Sequence, residues 1–123
     1  MALTYKIGDL AREFGVTLRT LRFYEDKGLI NPERSGTTRL YSASDRERLR
    51  VALFCKRIGM SLGEISEMLA LHDQEESGAN VHEKIRSVYT NRLKALEKHQ
   101  MEVNETISDL QIRLAEMDRI SAH

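Results

Sequence analysis

The chain has 123 residues, 41% of them apolar and 31% charged, enough for one compact domain with an extended appendage and an unusually ionic surface. No apolar run approaches the roughly 20 residues that span a bilayer, Met1-Ala2-Leu3-Thr4-Tyr5-Lys6 lacks the pattern of a signal peptide, and a lone Cys55 excludes an internal disulfide or a multi-cysteine metal site, so a cytoplasmic, reduced setting is expected. The net charge of zero hides a split, +5 over residues 1–60 and −5 over residues 61–123, which points to two jobs in one chain.

Ile7, Leu10, Ala11 and Phe14 recur at helical spacing and predict a first helix over about residues 6–14, ended by Gly15 and poorly started by Lys6. Thr17 is a good N-cap for a second helix over about 18–27, and Gly28 suits the left-handed position after it. The turn between the two helices is so short that they must cross steeply. Leu29-Ile30-Asn31-Pro32 and Arg39-Leu40-Tyr41 read as two extended segments of a β-hairpin wing with Gly36-Thr37-Thr38 at its tip. Two capping boxes follow: Ser44 with Glu47 predicts a helix over about 45–58, and Ser61 with Glu64 another over about 62–71.

Residues 72–80 form an acidic, glycine-containing linker, after which Asn80, with Glu83 three residues on, caps a long helix. Along it Leu93, Leu96, Gln100, Val103, Ile107, Leu110, Leu114 and Met117 step by three and four as a heptad seam, with Gln100 its one polar member and a candidate for fixing register. Val81, Ile85 and Val88 lie off this register. About 40 residues at 1.5 Å each make a rod of roughly 60 Å, too long to bury its seam on a small domain, so a homodimer is expected. The fold class is therefore mainly α: a winged helix-turn-helix domain (residues 1–71), a linker (72–80), a long dimerisation helix (81–120) and a tail (121–123).

A helix pair with a short turn presents its second helix as a probe. Leu18, Leu21 and Phe23 can hold that helix to the core while Arg19, Thr20, Arg22 and Tyr24 project donors suited to phosphates and base edges. With Thr17 at the helix start and Arg34, Arg39 and Tyr41 on the wing, these are the candidate contacts to double-stranded DNA. Arg22 has an alternative partner in Glu25 on its own helix, Tyr24 an alternative place in the core, and Tyr41 is expected to put its ring on the core and its hydroxyl on a phosphate. Cys55, in the apolar stretch Val51-Ala52-Leu53-Phe54-Cys55, is expected as a buried thiol rather than a redox sensor. His72-Asp73 and His82-Glu83 match no ligand spacing, and no metal or cofactor is expected.

The strings Ile7-Gly8-Asp9-Leu10-Ala11, Gly15-Val16-Thr17, Thr20-Leu21-Arg22-Phe23-Tyr24-Glu25 and Gly28-Leu29-Ile30, then Arg39-Leu40-Tyr41 with Asp45 and Leu49, and Ile58-Gly59-Met60-Ser61-Leu62 with Glu64 and Ile65, resemble the mercury-resistance regulator (MerR) family over about residues 5–71. The resemblance implies a DNA-binding front end and an antiparallel coiled coil between subunits. It also implies binding to inverted-repeat promoter sites with an overlong spacer, and distortion of that DNA so that RNA polymerase engages. Arg19, Arg22 and Tyr24 become recognition-helix contacts on this reading, and Arg39 and Tyr41 wing contacts.

The chain departs from the metal-sensing branch, whose members carry cysteines at the start of the dimerisation helix and in a loop after it. No large C-terminal drug-binding domain is expected. Leu40-Tyr41-Ser42 with Asp45-Arg46, and Cys55-Lys56-Arg57-Ile58-Gly59, look most like short regulators linked to branched-chain amino-acid and acyl-CoA breakdown. Rival readings are a coiled-coil adaptor protein and an architectural or excision factor that bends DNA. An enzyme is disfavoured, with no nucleophile–base set, phosphate loop or metal cluster to support it. Nothing in these residues selects an effector, or activation over repression.

Overall fold

The computed structural model describes residues 4–74 and 78–122. The chain divides into two compact units, Met1–Val81 and His82–His123. In the front unit the elements run β1 (Thr4–Lys6), α1 (Ile7–Phe14), α2 (Leu18–Asp26), β2 (Glu33–Ser35), β3 (Thr38–Ser42), α3 (Ala43–Arg57) and α4 (Leu62–Asp73). The mainly helical winged architecture expected from the sequence is the one observed.

Several helix boundaries have a local cause. The Thr17 hydroxyl accepts the Thr20 N–H at 3.1 Å and starts α2. At its other end Gly28, at φ 75°, adopts the left-handed conformation. Its N–H then reaches Glu25 O at 2.9 Å, and the Leu29 N–H reaches Tyr24 O at 3.0 Å, so two otherwise orphaned carbonyls are satisfied. The Ser61–Glu64 box opens α4 as the sequence predicts. Lys6 begins α1 and has no acceptor to offer, so only half a box forms there: Asp9 Oδ2 accepts the Lys6 N–H at 3.3 Å.

Three expectations are corrected. The box that opens α3 is Ser42 with Asp45, two residues before the predicted Ser44 with Glu47. Ser42 ends a strand and already has the extended backbone an N-cap requires, and Asp45 also accepts the Asn31 N–H at 3.3 Å. Ser44 lies inside the helix, and Glu47 pairs with Arg50. The hairpin is formed by 33–35 and 38–42, and Leu29 and Ile30, expected in its first strand, are core residues. Its loop is the pair Gly36-Thr37, with a positive φ at the glycine alone (66°), the pattern of a II′ turn. Finally, Asn80 does not cap the last helix, α5 (Ala79–Ser121), but lies within its first turn.

A strand that the sequence did not announce completes the sheet. β1 pairs antiparallel with β3, Tyr5 opposite Tyr41, giving the order β1-β3-β2 with β3 central. Tyr41, fully buried, joins Leu10, Leu21, Tyr24, Ile30, Leu49, Ala52, Cys55, Met68 and Leu69 in the core. The Arg46 guanidinium ties α3 to α1 through both oxygens of Glu13, at 2.9 Å from Nε, and this contact holds the Glu13 carboxyl below its usual range. Arg48 donates from Nε to Leu29 O at 2.9 Å and from Nη1 to the Asp73 carboxylate. That bond secures the end of α4 at Asp73, two residues past the predicted end, so the first two residues of the expected linker are helical. Residues 75–77 of that linker lie outside the described residues.

The rear unit is the body of α5, whose 43 residues span about 65 Å. Thr90 and Thr106 bond back to the carbonyls of Arg86 and Glu102, so their hydroxyls need no outside partner. All eight seam residues fall on this helix and are exposed, the apolar ones between 39% and 58%. No helix among the described residues is long and apolar enough to cross a membrane.

Candidate nucleic-acid interface

The outer surface of α2 carries Arg19 and Arg22, one turn apart and exposed, and among the described residues neither has an ion pair. Two free guanidiniums on one helix are unusual in a domain where most arginines are paired, and they suit a polyanion. Thr17 and Thr20 lie at the start of the same helix with their hydroxyls 3.0 Å apart, so each has a partner before any ligand arrives.

Glu25 organises the wing. It projects from the last turn of α2, 15% exposed, and its carboxylate receives three donors: Arg39 Nε at 3.0 Å, the Tyr41 hydroxyl at 3.3 Å and Arg34 Nη2 at 3.4 Å. Glu25 is thus committed to β2 and β3 rather than to Arg22, and the alternative intrahelical pair does not form. Since Arg34 lies opposite Arg39 in the hairpin, one carboxylate offsets two facing cations. Sequence reasoning missed this role. The available signal was an acidic residue at the end of a basic helix, where the dipole disfavours it, ahead of a wing with two arginines.

Two expected contacts are corrected. Tyr24 is 1% exposed and cannot project a donor, whereas Phe23, assigned to the core, is 46% exposed. Leu21 and Tyr24 are three residues apart and share the inward face of α2, whereas Phe23 falls outside it, stacked edge-on against Tyr24 and under the Lys27 ammonium. Leu18, also assigned to the core, is 40% exposed. Tyr41 does place its ring in the core, but its hydroxyl is held by Glu25 and not presented outward.

Burial first, and then the Glu25 charge and hydrogen bond, push the Tyr41 phenol up from its ordinary 10.0 to about 12. Burial also raises Tyr24. Between pH 10 and 12 the folded chain keeps a proton that the unfolded chain releases, so this stabilisation is whole below pH 10 and fades as pH rises towards 12. Denaturant titrations from pH 8 to 12 should show that alkaline loss, on the order of 2 kcal/mol. Tyr41→Phe should reduce it; a loss of unchanged size would show that Tyr41 is not its source.

Between α1, α2 and the wing lies an open cleft of about 410 Å³ lined by Lys6, Arg12, Arg22 and Arg39, with Asp9 the one carboxylate among the described residues that line it. Arg22 and Arg39 were candidates from sequence. Lys6 and Arg12 were not, because only the folding of β1 beside β3 brings them to the wing. Among the described residues no group of three or more His, Cys, Asp or Glu side chains could hold a metal ion.

The pattern of exposed and buried residues on α2 and the wing is thus that of a winged helix-turn-helix. Family comparison agrees: the family of MerR HTH regulatory proteins matches residues 5–71, and its MerR DNA-binding region matches residues 46–120. The chain belongs to the MerR family. It is accordingly a DNA-binding transcription regulator.

The "HTH-type transcriptional regulator ZntR homolog" of Haemophilus influenzae is 36% identical over 107 residues, covering 85% of this chain and 72% of that relative. The "Mercuric resistance operon regulatory protein" of Pseudomonas fluorescens is 38% identical over 87 residues, 67% of this chain and 60% of the relative, so the chain spans about three fifths of that protein's length. The solved structure of HiNmlR, described as a MerR family regulator lacking the sensor domain and bound to promoter DNA, superposes with a TM-score of 0.66 at 26% identity, covering 86% of this chain and 80% of that one. These relatives lend no support to the expected link with branched-chain amino-acid or acyl-CoA breakdown, nor to the adaptor and excision-factor readings.

Proposed function

We propose that this MerR regulator binds inverted-repeat promoter DNA in the cytoplasm as a homodimer. The observation that carries this reading is the pair of unpaired, exposed guanidiniums, Arg19 and Arg22, on a probe helix whose neighbouring wing is tied to it by Glu25. In this arrangement α2 enters the major groove, Arg19 and Thr20 read base edges, and Thr17, Arg22, Arg34 and Arg39 hold the backbone. The seam from Leu93 to Met117 pairs two copies in an antiparallel coiled coil, so that one duplex meets two probe helices. With the separation of the helices set by protein, the duplex bends or untwists to fit, and that distortion lets RNA polymerase engage. The similar fold of a relative described as bound to promoter DNA supports promoter binding.

Selection of duplexes by the purified chain at near-physiological salt tests the reading. Enrichment of an inverted repeat with a fixed spacer is expected, and no enrichment by the folded protein overturns it. Arg19→Ala or Thr20→Ala should then change the bases preferred in each half-site. A uniform loss across all sequences would instead place that residue on the backbone.

A further inference from the structure

The cleft between α1, α2 and the wing has a charge pattern that base recognition does not explain. Four cations line it against one carboxylate. That carboxylate, Asp9, is already engaged by the Lys6 N–H at 3.3 Å and the Arg12 guanidinium at 2.5 Å, and Arg39 is engaged by Glu25. Lys6 and Arg22 are left, and among the described residues neither has an ion pair. Two unpaired cations sharing one cleft repel each other, a cost that an anion removes.

We propose that this cleft clamps one phosphodiester of the DNA backbone, with Lys6 and Arg22 as the direct donors and Arg12 at its edge. The inference rests on the DNA-binding reading above and adds α1 to the interface. Several features select a strand over a small ligand. The cleft is open, as a continuous strand requires. Its lining is cationic and hydroxylic, with Thr38 beside Arg39, rather than the mainly apolar enclosure typical of small-molecule sites. It also lies between the probe helix and the wing, where a backbone must pass if α2 occupies a groove. Gly8 contributes no side chain at this wall; a Cβ there would stand 3.7 Å from Arg12 Nη1.

The test uses the full chain and the duplex it selects. Lys6→Gln keeps the β1 backbone pairing, and Arg12→Gln alters a side chain that is 77% exposed, so both variants should fold with unchanged melting. Lys6→Gln should weaken binding roughly ten-fold and reduce the salt slope by about one unit, as for one lost phosphate contact. Single methylphosphonate substitutions along each half-site should reveal a position whose neutralisation weakens the unaltered chain but not Lys6→Gln. An unchanged slope and an unchanged methylphosphonate profile in Lys6→Gln, on a duplex still bound specifically, overturn the clamp alone. Failure of the unaltered chain to prefer any duplex overturns both the clamp and the reading beneath it. Displacement of the duplex by millimolar inorganic phosphate at constant ionic strength, lost in Lys6→Gln, would assign the cleft to a free anion and overturn the strand clamp.

Discussion

On the proposed homodimer, Ile107→Glu combined with Leu110→Glu should leave the regulator monomeric at tens of micromolar and weaken operator binding by roughly 10²- to 10⁴-fold, the range lost when two linked half-site contacts become independent. The two side chains are 47% and 57% exposed in the single chain and occupy consecutive seam positions. Burying each such side chain stabilises pairing by about 1.5–3 kcal/mol, and two copies contribute four of them. The sum, about 6–12 kcal/mol, brackets the roughly 8 kcal/mol of a micromolar dimer, so losing it is decisive even before carboxylate repulsion is added. Glutamate is a good helix former, which excludes local unwinding as the cause. Ile112→Glu is the control: Ile112 is also 57% exposed but lies off the heptad seam, and that variant should remain dimeric. Sedimentation separates the outcomes. A stable dimer of the double variant would remove the seam from the assembly, and a monomeric Ile112→Glu would mean that pairing uses a different face.

Glu25→Ala carries an expectation of unusual sign. It removes a negative charge from a surface meant for DNA, so simple electrostatics expects tighter binding. The geometry expects the reverse, because Arg34 and Arg39 lose the group that offsets their repulsion and the buried Tyr41 hydroxyl loses its acceptor. Two of the three donors are partly or fully buried, and leaving them unsatisfied costs about 1.5–3 kcal/mol, a melting shift on the order of 10 °C for a domain of this size. A wing no longer tied to α2 must also be ordered when it meets the backbone, so affinity should fall about ten-fold. Glu25→Gln, which keeps an acceptor for Tyr41 but loses the charge, should fall between. Tighter binding by Glu25→Ala at constant fold would show that Glu25 acts on DNA only as a repelling charge.

Much of this was legible because it is local. Thr17 before α2, the Ser61–Glu64 box and Gly28 after α2 act within one turn of the chain, and the structure uses each as the sequence implies. The heptad spacing on α5 was equally plain. What escaped reading depends on residues far apart in sequence. Three-residue β1 has no periodicity to detect and exists only because β3 lies beside it. Ser42 and Ser44 are equivalent as letters, and only the end of β3 chooses between them. The polar tip of Tyr24 argued for an outward position, yet a place beside Leu21 on the inward face outweighed it, although its hydroxyl has no hydrogen-bond partner among the described residues. The interface divides in the same way: Arg19 and Arg22 follow from the helix alone, whereas the Glu25 junction and the Lys6–Arg12 wall need the assembled sheet.

The central position of β3 also bears on how the protein is made. Thr4 pairs with Ser42 and Lys6 with Leu40, so the sheet closes around both helices of the helix-turn-helix. A nascent chain that has reached residue 38 contains every residue of α1 and α2 but neither Tyr41 nor the strand that holds Tyr5. All residues of the probe helix are therefore made before the strand that fixes its direction, and closing this loop is the slow event expected in folding of the front unit. Until then Leu10, Leu21 and Tyr24 lack much of their eventual cover, so a half-made chain leaves apolar surface exposed at the stage when it cannot yet read DNA.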